Sequence, residues 1–273
     1  ASANTLTVSY NASNEVQTVW DGAQTWTYTF GIDPVSQQRS GSVTDANNVG
    51  LGGVTVDLTS GRLVAQTDGL GHTVNIAYNA NKQIDTISGP EGNLVRYTYD
   101  ARGNVTLVRN VAKSGSGLAD ITMSAAFPAS CTNIITCNQP TSTTDERGFT
   151  TDYTYDATHG GVLTVTAPDP DGGGPLVRPQ TRYTYALHTA KAKDAGGTLV
   201  NQTPSVYRLT EISSCATLSS CANGADETRT VVAYATNNLL PSGITVRDGA
   251  NTLVATTTPV YDAVGNAFTV DWA

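Results

Sequence analysis

The sequence predicts an all-β fold in which tandem β-hairpins lie side by side as one extended, curled antiparallel sheet. Three observations carry this. Lys, Arg, Asp and Glu make up 14% of the 273 residues, well below the ~25% usual in globular chains. Gly reaches 26, Thr and Val recur throughout, and no Leu/Ala/Glu/Lys stretch favours a helix. Short segments alternate with a period of two, and the whole pattern returns every 21 residues.

The recurrence is clearest from Asp68. Gly71 lies three residues on, Tyr78 seven further, Lys82 four further and Gly89 seven further. The next copy places Gly89, Gly92, Tyr99, Gly103 and Asn110 at the same spacing. A third begins at Asp145, with Gly148 and Tyr155, and the last holds Tyr261-Asp262-Ala263-Val264-Gly265-Asn266. Tyr10, Asn14, Asp21 and Gln24 keep the spacing near the start.

Each copy predicts two strands and two turns. In Leu94–Tyr99, a period of two puts Val95, Tyr97 and Tyr99 on one face. Thr151, Tyr153 and Tyr155 repeat the pattern, as do Thr181, Tyr183 and Tyr185. These rings are expected to pack as core, with an aromatic platform for sugars as the alternative. Val105 and Leu107 begin the return strand. In Asp100-Ala101-Arg102-Gly103 the carboxylate can accept turn amides, and Gly can adopt positive φ without steric cost. Asp156 and Asp262 fill the same slot, the latter with Gly265. A lone hairpin cannot bury its apolar face, but stacked units share one continuous face. The outer edges stay open unless capped or paired.

The chain reads as a single repeat domain, 1–273, whose register breaks at about 111–143 and 187–241. Asp169–Pro175 reads as a longer loop. Each break carries a cysteine pair, Cys131 with Cys137 and Cys215 with Cys221, with five residues between partners. Zinc pairs are usually closer. A disulfide within each pair is the reading adopted; free thiols and cross-pairing between the segments are the alternatives. Disulfides imply an oxidising compartment.

Other chemistry finds little support. The net charge of −8 argues against nucleic acid as a partner. No apolar run is long enough to span a bilayer. His72, His159 and His188 fit no metal-binding spacing, and no phosphate loop or nucleophile elbow is present. Asp169, Asp171 and Asp194 lack a calcium-loop pattern. No catalytic residue, metal or cofactor is expected. Asn11, Asn104 and Asn201 open glycosylation-type triplets of the kind that arise by chance.

Tyr97-Thr98-Tyr99-Asp100-Ala101-Arg102-Gly103-Asn104 and Tyr261-Asp262-Ala263-Val264-Gly265-Asn266 resemble the YD repeat of the RHS family, and Asp145–Gly148 with Asp152–Asp156 is similar. The clear match covers roughly 60–110, 144–186 and 246–273. The resemblance implies a β-strip that spirals into a hollow shell, as in bacterial RHS proteins and toxin-complex subunits. The family's C-terminal self-cleavage motif has no counterpart here. The expected role is a non-catalytic structural segment of a secreted or surface bacterial protein. Its expected partners are further YD repeats of the same parent chain or identical copies. The alternatives are a carbohydrate or cell-surface binding module and a self-assembling filament or tube.

Overall fold

The computed structural model describes residues 5–172, 178–218, 221–236, 239–263 and 265–272, with backbone alone at residues 190 and 268–272. The predicted loop Asp169–Pro175 therefore lies partly outside the described residues, as does Val264 of the last turn. Among the described residues there are twenty strands and no helix. The fold is all-β and antiparallel, as composition and alternation predict. It divides into two compact units, Ala1–Thr122 and Met123–Ala273, and the division falls inside the first predicted register break.

The first unit is a meander of ten strands: β1 (Thr7–Tyr10), β2 (Val16–Trp20), β3 (Thr25–Asp33), β4 (Gln38–Thr44), β5 (Gly50–Asp57), β6 (Leu63–Asp68), β7 (Thr73–Tyr78), β8 (Ile84–Ser88), β9 (Leu94–Tyr99) and β10 (Val105–Val111). Each pairs antiparallel with the next in sequence. Residues directly paired across strands share a face. One such row runs Phe30–Gly41–Val54–Gln66–Val74, and another Ile76–Ile87–Val95. The opposite face carries hydroxyls, in the row Ser9–Thr18–Thr27–Thr44. The sheet is therefore amphipathic, as period-two alternation requires.

The second unit begins with β11 (Ile121–Ala126), which straddles the division, and continues through β12 (Ser142–Thr144), β13 (Thr150–Tyr155), β14 (Val162–Thr166), β15 (Gln180–Lys193), β16 (Leu199–Cys215), β17 (Glu227–Tyr234), β18 (Pro241–Asp248), β19 (Leu253–Tyr261) and β20 (Ala267–Trp272). Again each strand pairs with the next. β15 and β16 form a long ribbon. β14 meets β15 only over Gln180–Arg182, and β17 meets β16 only over Glu211–Cys215. Beyond these, among the described residues, Ala186–Lys193 and Leu199–Arg208 pair only with each other. This ribbon, together with the loop closed by Cys215 and Cys221, accounts for most of the second predicted break. The repeat resumes earlier than the sequence suggests, because β17 lies within 187–241.

Burial differs between the units. Among the described residues up to Thr122 none is buried. In the second unit Cys137, Ser213, Cys215, Cys221, Glu227, Leu239 and Gly249 are. Fully burying a Val or Leu side chain contributes roughly 1.5–3 kcal/mol, and the half-buried rows of the first unit obtain only part of that. Backbone hydrogen bonds between neighbouring strands, not a closed core, hold that unit in register.

Candidate functional site

The element that recurs is a tyrosine followed by a tight turn. After Tyr99, Asp100 N–H donates to the Asn104 carbonyl at 3.0 Å and Gly103 N–H to the Asp100 carbonyl at 3.1 Å. The Asp100 carboxylate accepts from the backbone amides of Arg102 and Asn104, both at 2.9 Å, and from the Asn104 side-chain amide at 2.9 Å. Gly103 sits at φ +91°, where a Cβ would be strained. Asp262 repeats the arrangement, accepting from Asn266 N and Nδ2 at 2.9 and 3.0 Å, with Gly265 at φ +92°.

The same five-residue turn closes the opposite ends of the strands. Asp45, Asp68, Asp145 and Asp248 each accept from the amide four residues on, and Asp194 does the same at the tip of the ribbon, on the tyrosine side. The 21-residue period thus contains two copies of one turn, facing opposite ways. Asp156 is a longer variant. Its N–H donates to Gly161 O and Gly160 N–H returns to Asp156 O, both at 2.9 Å, so the turn spans one more residue. Its carboxylate accepts from Thr158 and His159 amides.

These bonds shift the carboxylates. The Asn104 side chain above all, with the Asn104 and Arg102 amides, holds Asp100 below the ordinary value. The Phe149 amide does so for Asp145, the His72 amide for Asp68 and the Thr158 amide for Asp156. Each amide stabilises the charged form. The carboxylates are thus committed to turn construction.

The tyrosines define the second half of the element. Tyr10, Tyr78, Tyr99, Tyr155, Tyr185, Tyr234 and Tyr261 each face a return-strand residue next to a shift in register. Tyr99 faces Val105 while Thr98 faces Leu107, so Thr106 is the extra residue of a β-bulge. Bulges bend the strand and re-aim side chains. Four of these hydroxyls reach back to a carbonyl: Tyr78 to Leu63 at 2.8 Å, Tyr99 to Ile84 at 2.7 Å, Tyr155 to Pro140 at 2.9 Å and Tyr234 to Leu209 at 2.8 Å. Burial pushes the Tyr99, Tyr155 and Tyr185 phenols upward.

The remaining expected tyrosines lie two positions back along the same strands, on the same face. Tyr97 faces Val108 and Tyr183 faces Ile212. The Tyr153 ring lies 6.5 Å from that of Tyr155, and its hydroxyl is 3.1 Å from Thr143 Oγ1. Tyr185 is followed by Ala, not Asp, and there β15 runs on into the ribbon where other copies turn. Its ring instead meets His159 at 4.7 Å, and His159 also lies 4.3 Å from Tyr207. Sequence reasoning missed Tyr234. Ala235 occupies its Asp slot and the turn is one residue longer, so only the Tyr itself signals the copy.

Both cysteine pairs are disulfides, Cys131–Cys137 and Cys215–Cys221. Cys215 and Cys221 also cluster with Asp226, but sulfurs joined to each other offer no thiolate for a metal. Beside this disulfide lies a charged network. Arg182 donates to Ser213 Oγ at 2.8 Å and to Cys215 Sγ at 3.4 Å, and lies 3.5 Å from Glu227. Glu227 is 4% exposed and accepts from Ser213 Oγ and, at 2.7 Å, from the Asn223 amide. Burial raises the Glu227 carboxyl, but the Ser213 and Asn223 bonds and the charges of Arg229 and Arg182 outweigh it, so the net shift is downward. The histidines are dispersed: His72 on the Asp68 carboxylate at 3.0 Å, His159 among tyrosines, and His188 edge-on to Tyr234 at 5.3 Å.

Residues 78–114, which hold two of these tyrosines and the turns between them, match the RHS Repeat family model. That stretch is similar to an RHS repeat. The matched stretch spans β8 to β10 and starts on the Tyr78 that opens the element. Among solved structures, the chain is similar to "Crystal Structure of TcdB2-TccC3-Cdc42", at 12% identity over 96% of this chain and 15% of that one, with TM-score 0.45. It is also similar to "Crystal Structure of TcdB2-TccC3-TEV", at 12% identity over 96% and 16%, TM-score 0.33. A third is "Crystal Structure of TcdB2-TccC3", at 12% identity over 98% and 18%, TM-score 0.31. The chain thus spans under a fifth of these proteins. No curated protein matches it. No helix among the described residues is long and apolar enough to cross a membrane.

Proposed function

We propose that this chain is a non-catalytic wall segment of a larger RHS-type β-shell or scaffold, exported to the cell surface or beyond, whose partners are further repeats of the same kind. The observation that carries this is the burial pattern of the first unit. Ten strands are joined in sequence, yet among its described residues none is buried. A module built so is stabilised by continuation, because each added unit shares a face and an edge with its neighbour. The carboxylates and tyrosine hydroxyls that a catalyst would use are instead spent on turns and on carbonyls. Two disulfides favour an oxidising location.

The test is excision of one repeat. Tyr78 and Tyr99 occupy the same slot, so deleting residues 79–99 joins Tyr78 to Asp100 and restores a complete element. A wall segment so shortened keeps its β circular dichroism and a cooperative melt. A shortened chain that fails to fold under conditions where the parent folds overturns the reading.

A further inference from the structure

We propose that the Cys131–Cys137 disulfide is a redox-sensitive latch that sets how firmly the root of the β15–β16 ribbon is held. The latch acts through the turn between β13 and β14. The loop that the two cysteines close grips this turn at several points. Asn133 Oδ1 accepts from the Ile135 amide at 2.9 Å, which fixes the side chain, and Asn133 Nδ2 donates to the Ala157 carbonyl at 2.8 Å. Gln139 Nε2 donates to the Gly160 carbonyl at 2.8 Å, and the Tyr155 hydroxyl donates to the Pro140 carbonyl at 2.9 Å. Ile135 lies directly on Gly160, where φ is +73° and a Cβ would stand 2.9 Å from Ile135 Cγ2.

The turn so gripped carries His159. The Gly161 amide donates to His159 Nδ1 at 3.1 Å, and Nε2 lies 3.4 Å from Asp156 Oδ1, so the turn itself aims the ring. The ring reaches Tyr185 at 4.7 Å and Tyr207 at 4.3 Å. Gly161 permits this approach, since a Cβ there would come within 2.8 Å of both His159 Cε1 and Tyr185 Cζ. Tyr207 stands in the part of β16 that pairs, among the described residues, with β15 alone. A two-stranded ribbon is marginally stable by itself, so a contact from outside it matters there. Tyr207 and Arg208 are adjacent and therefore point to opposite faces. On the Arg208 face, Arg208 and His188 meet the Tyr234 ring, and Arg208 donates to the Leu239 carbonyl at 2.8 Å. The root is held from both faces, and the His159 side is the one that the Cys131–Cys137 loop supports.

Access to the bond is asymmetric: Cys131 is exposed and Cys137 is 2% exposed. A thiolate of a dithiol reductant attacks Cys131 Sγ, the S–S bond breaks, and the Cys137 sulfur leaves and takes a proton. The second thiol of the reductant then displaces Cys131 as a thiol and closes to a disulfide, so two electrons and two protons pass to the protein. The opened loop contains no strand and regains the chain entropy that the bond removed. Asn133 and Ile135 leave the turn, His159 loses its seat on Tyr207, and the ribbon root loosens.

Amide hydrogen exchange on the full chain reads this coupling. Wild type is compared with Asn133→Ala, with His159→Ala and with the double variant Cys131→Ser, Cys137→Ser, all of which keep the Cys215–Cys221 bond. Exchange across Ala186–His188 and Val206–Arg208 is expected to be about tenfold or more faster in each variant, while β18 and β19 keep wild-type rates. Adding His159→Ala to the cysteine variant is expected to bring little further acceleration, because both act on one contact. Ribbon exchange at the wild-type rate without the disulfide overturns the inference. So does acceleration that spreads equally to β18 and β19, or effects of His159→Ala and of the cysteine pair that multiply. If the cysteine variant fails to fold, Asn133→Ala carries the test, and unchanged ribbon exchange there overturns the inference. Repeat excision at 79–99 lies in the first unit and leaves these residues untouched, so the two proposals fail separately.

Discussion

The Tyr99 hydroxyl donates to the Ile84 carbonyl at 2.7 Å, and Ile84 is itself the backbone partner of Tyr78. One tyrosine therefore bonds to the residue that faces the equivalent tyrosine of the preceding copy. Tyr234 does the same with Leu209, the partner of Tyr185. Side-by-side hairpins are thereby tied by side chain as well as by ladder.

Tyr99→Phe removes this tie and leaves the ring in place. The expected loss is about 1 kcal/mol, read as a lowered denaturant midpoint with unchanged slope. Tyr97→Phe, whose hydroxyl makes no such bond to a carbonyl, is expected to shift the midpoint by less than half as much. Equal effects would show that the carbonyl bond contributes nothing special.

The turn aspartates predict an acid limb. Asp68, Asp100 and Asp145 lie below their ordinary 3.8 in the folded chain. A lowered folded pKa gives stability that is present above the unfolded pKa and is lost as pH falls through the folded one. The melting temperature is expected to hold above about pH 5 and to drop below about pH 4. Asn79 already fills this slot in one copy, accepting from Gln83 N at 3.0 Å. The triple variant Asp68→Asn, Asp100→Asn, Asp145→Asn is therefore expected to fold and to show a flatter acid limb by calorimetry.

The disulfides are expected to reduce in order. Cys131 is exposed, while Cys215 and Cys221 are each 4% exposed, with Arg182 against the Cys215 sulfur. Graded reductant with alkylation and peptide mass spectrometry should label Cys131 and Cys137 first. Each short loop is worth about 2 kcal/mol in the chain-entropy model, so full reduction should lower the melting temperature in two steps.

Glu227→Ala removes the carboxylate that the Ser213 hydroxyl, the Asn223 amide and Arg182 converge on. Breaking a buried pair typically costs about 3–5 kcal/mol. The loss is expected to appear as rapid amide exchange across Ser213–Cys215 and Glu227–Arg229, the paired ends of β16 and β17. Protection equal to wild type there would show that the pair does not hold these ends together.

Much of this was legible in the sequence. Asp100, Gly103, Asp262 and Gly265 announce their turns because side-chain capping and positive φ each demand a particular residue type. Tyr97 and Tyr99 announce their face because alternation is a property of one strand. The bulge beside each tyrosine and the reach of Tyr99 to Ile84 were not legible, since both depend on the register of a neighbouring strand. Strands β3 to β5 escaped the clearest stretch of repeat because they run to seven to nine residues, which stretches the spacing, and because Ile32, not Tyr, precedes Asp33. The ribbon of β15 and β16 hid the copy at Tyr234 by displacing it. The cysteine spacing suggested partners, and the structure pairs them within each loop.

Because every paired strand meets its immediate successor in sequence, no contact in either ladder waits for a distant part of the chain. Closing short loops costs little entropy, and local topologies form fast. Such a chain can order itself hairpin by hairpin as it leaves the ribosome, each finished turn templating the next. An interrupted translation product would then be a shorter strip, still correctly laced, and not a tangle.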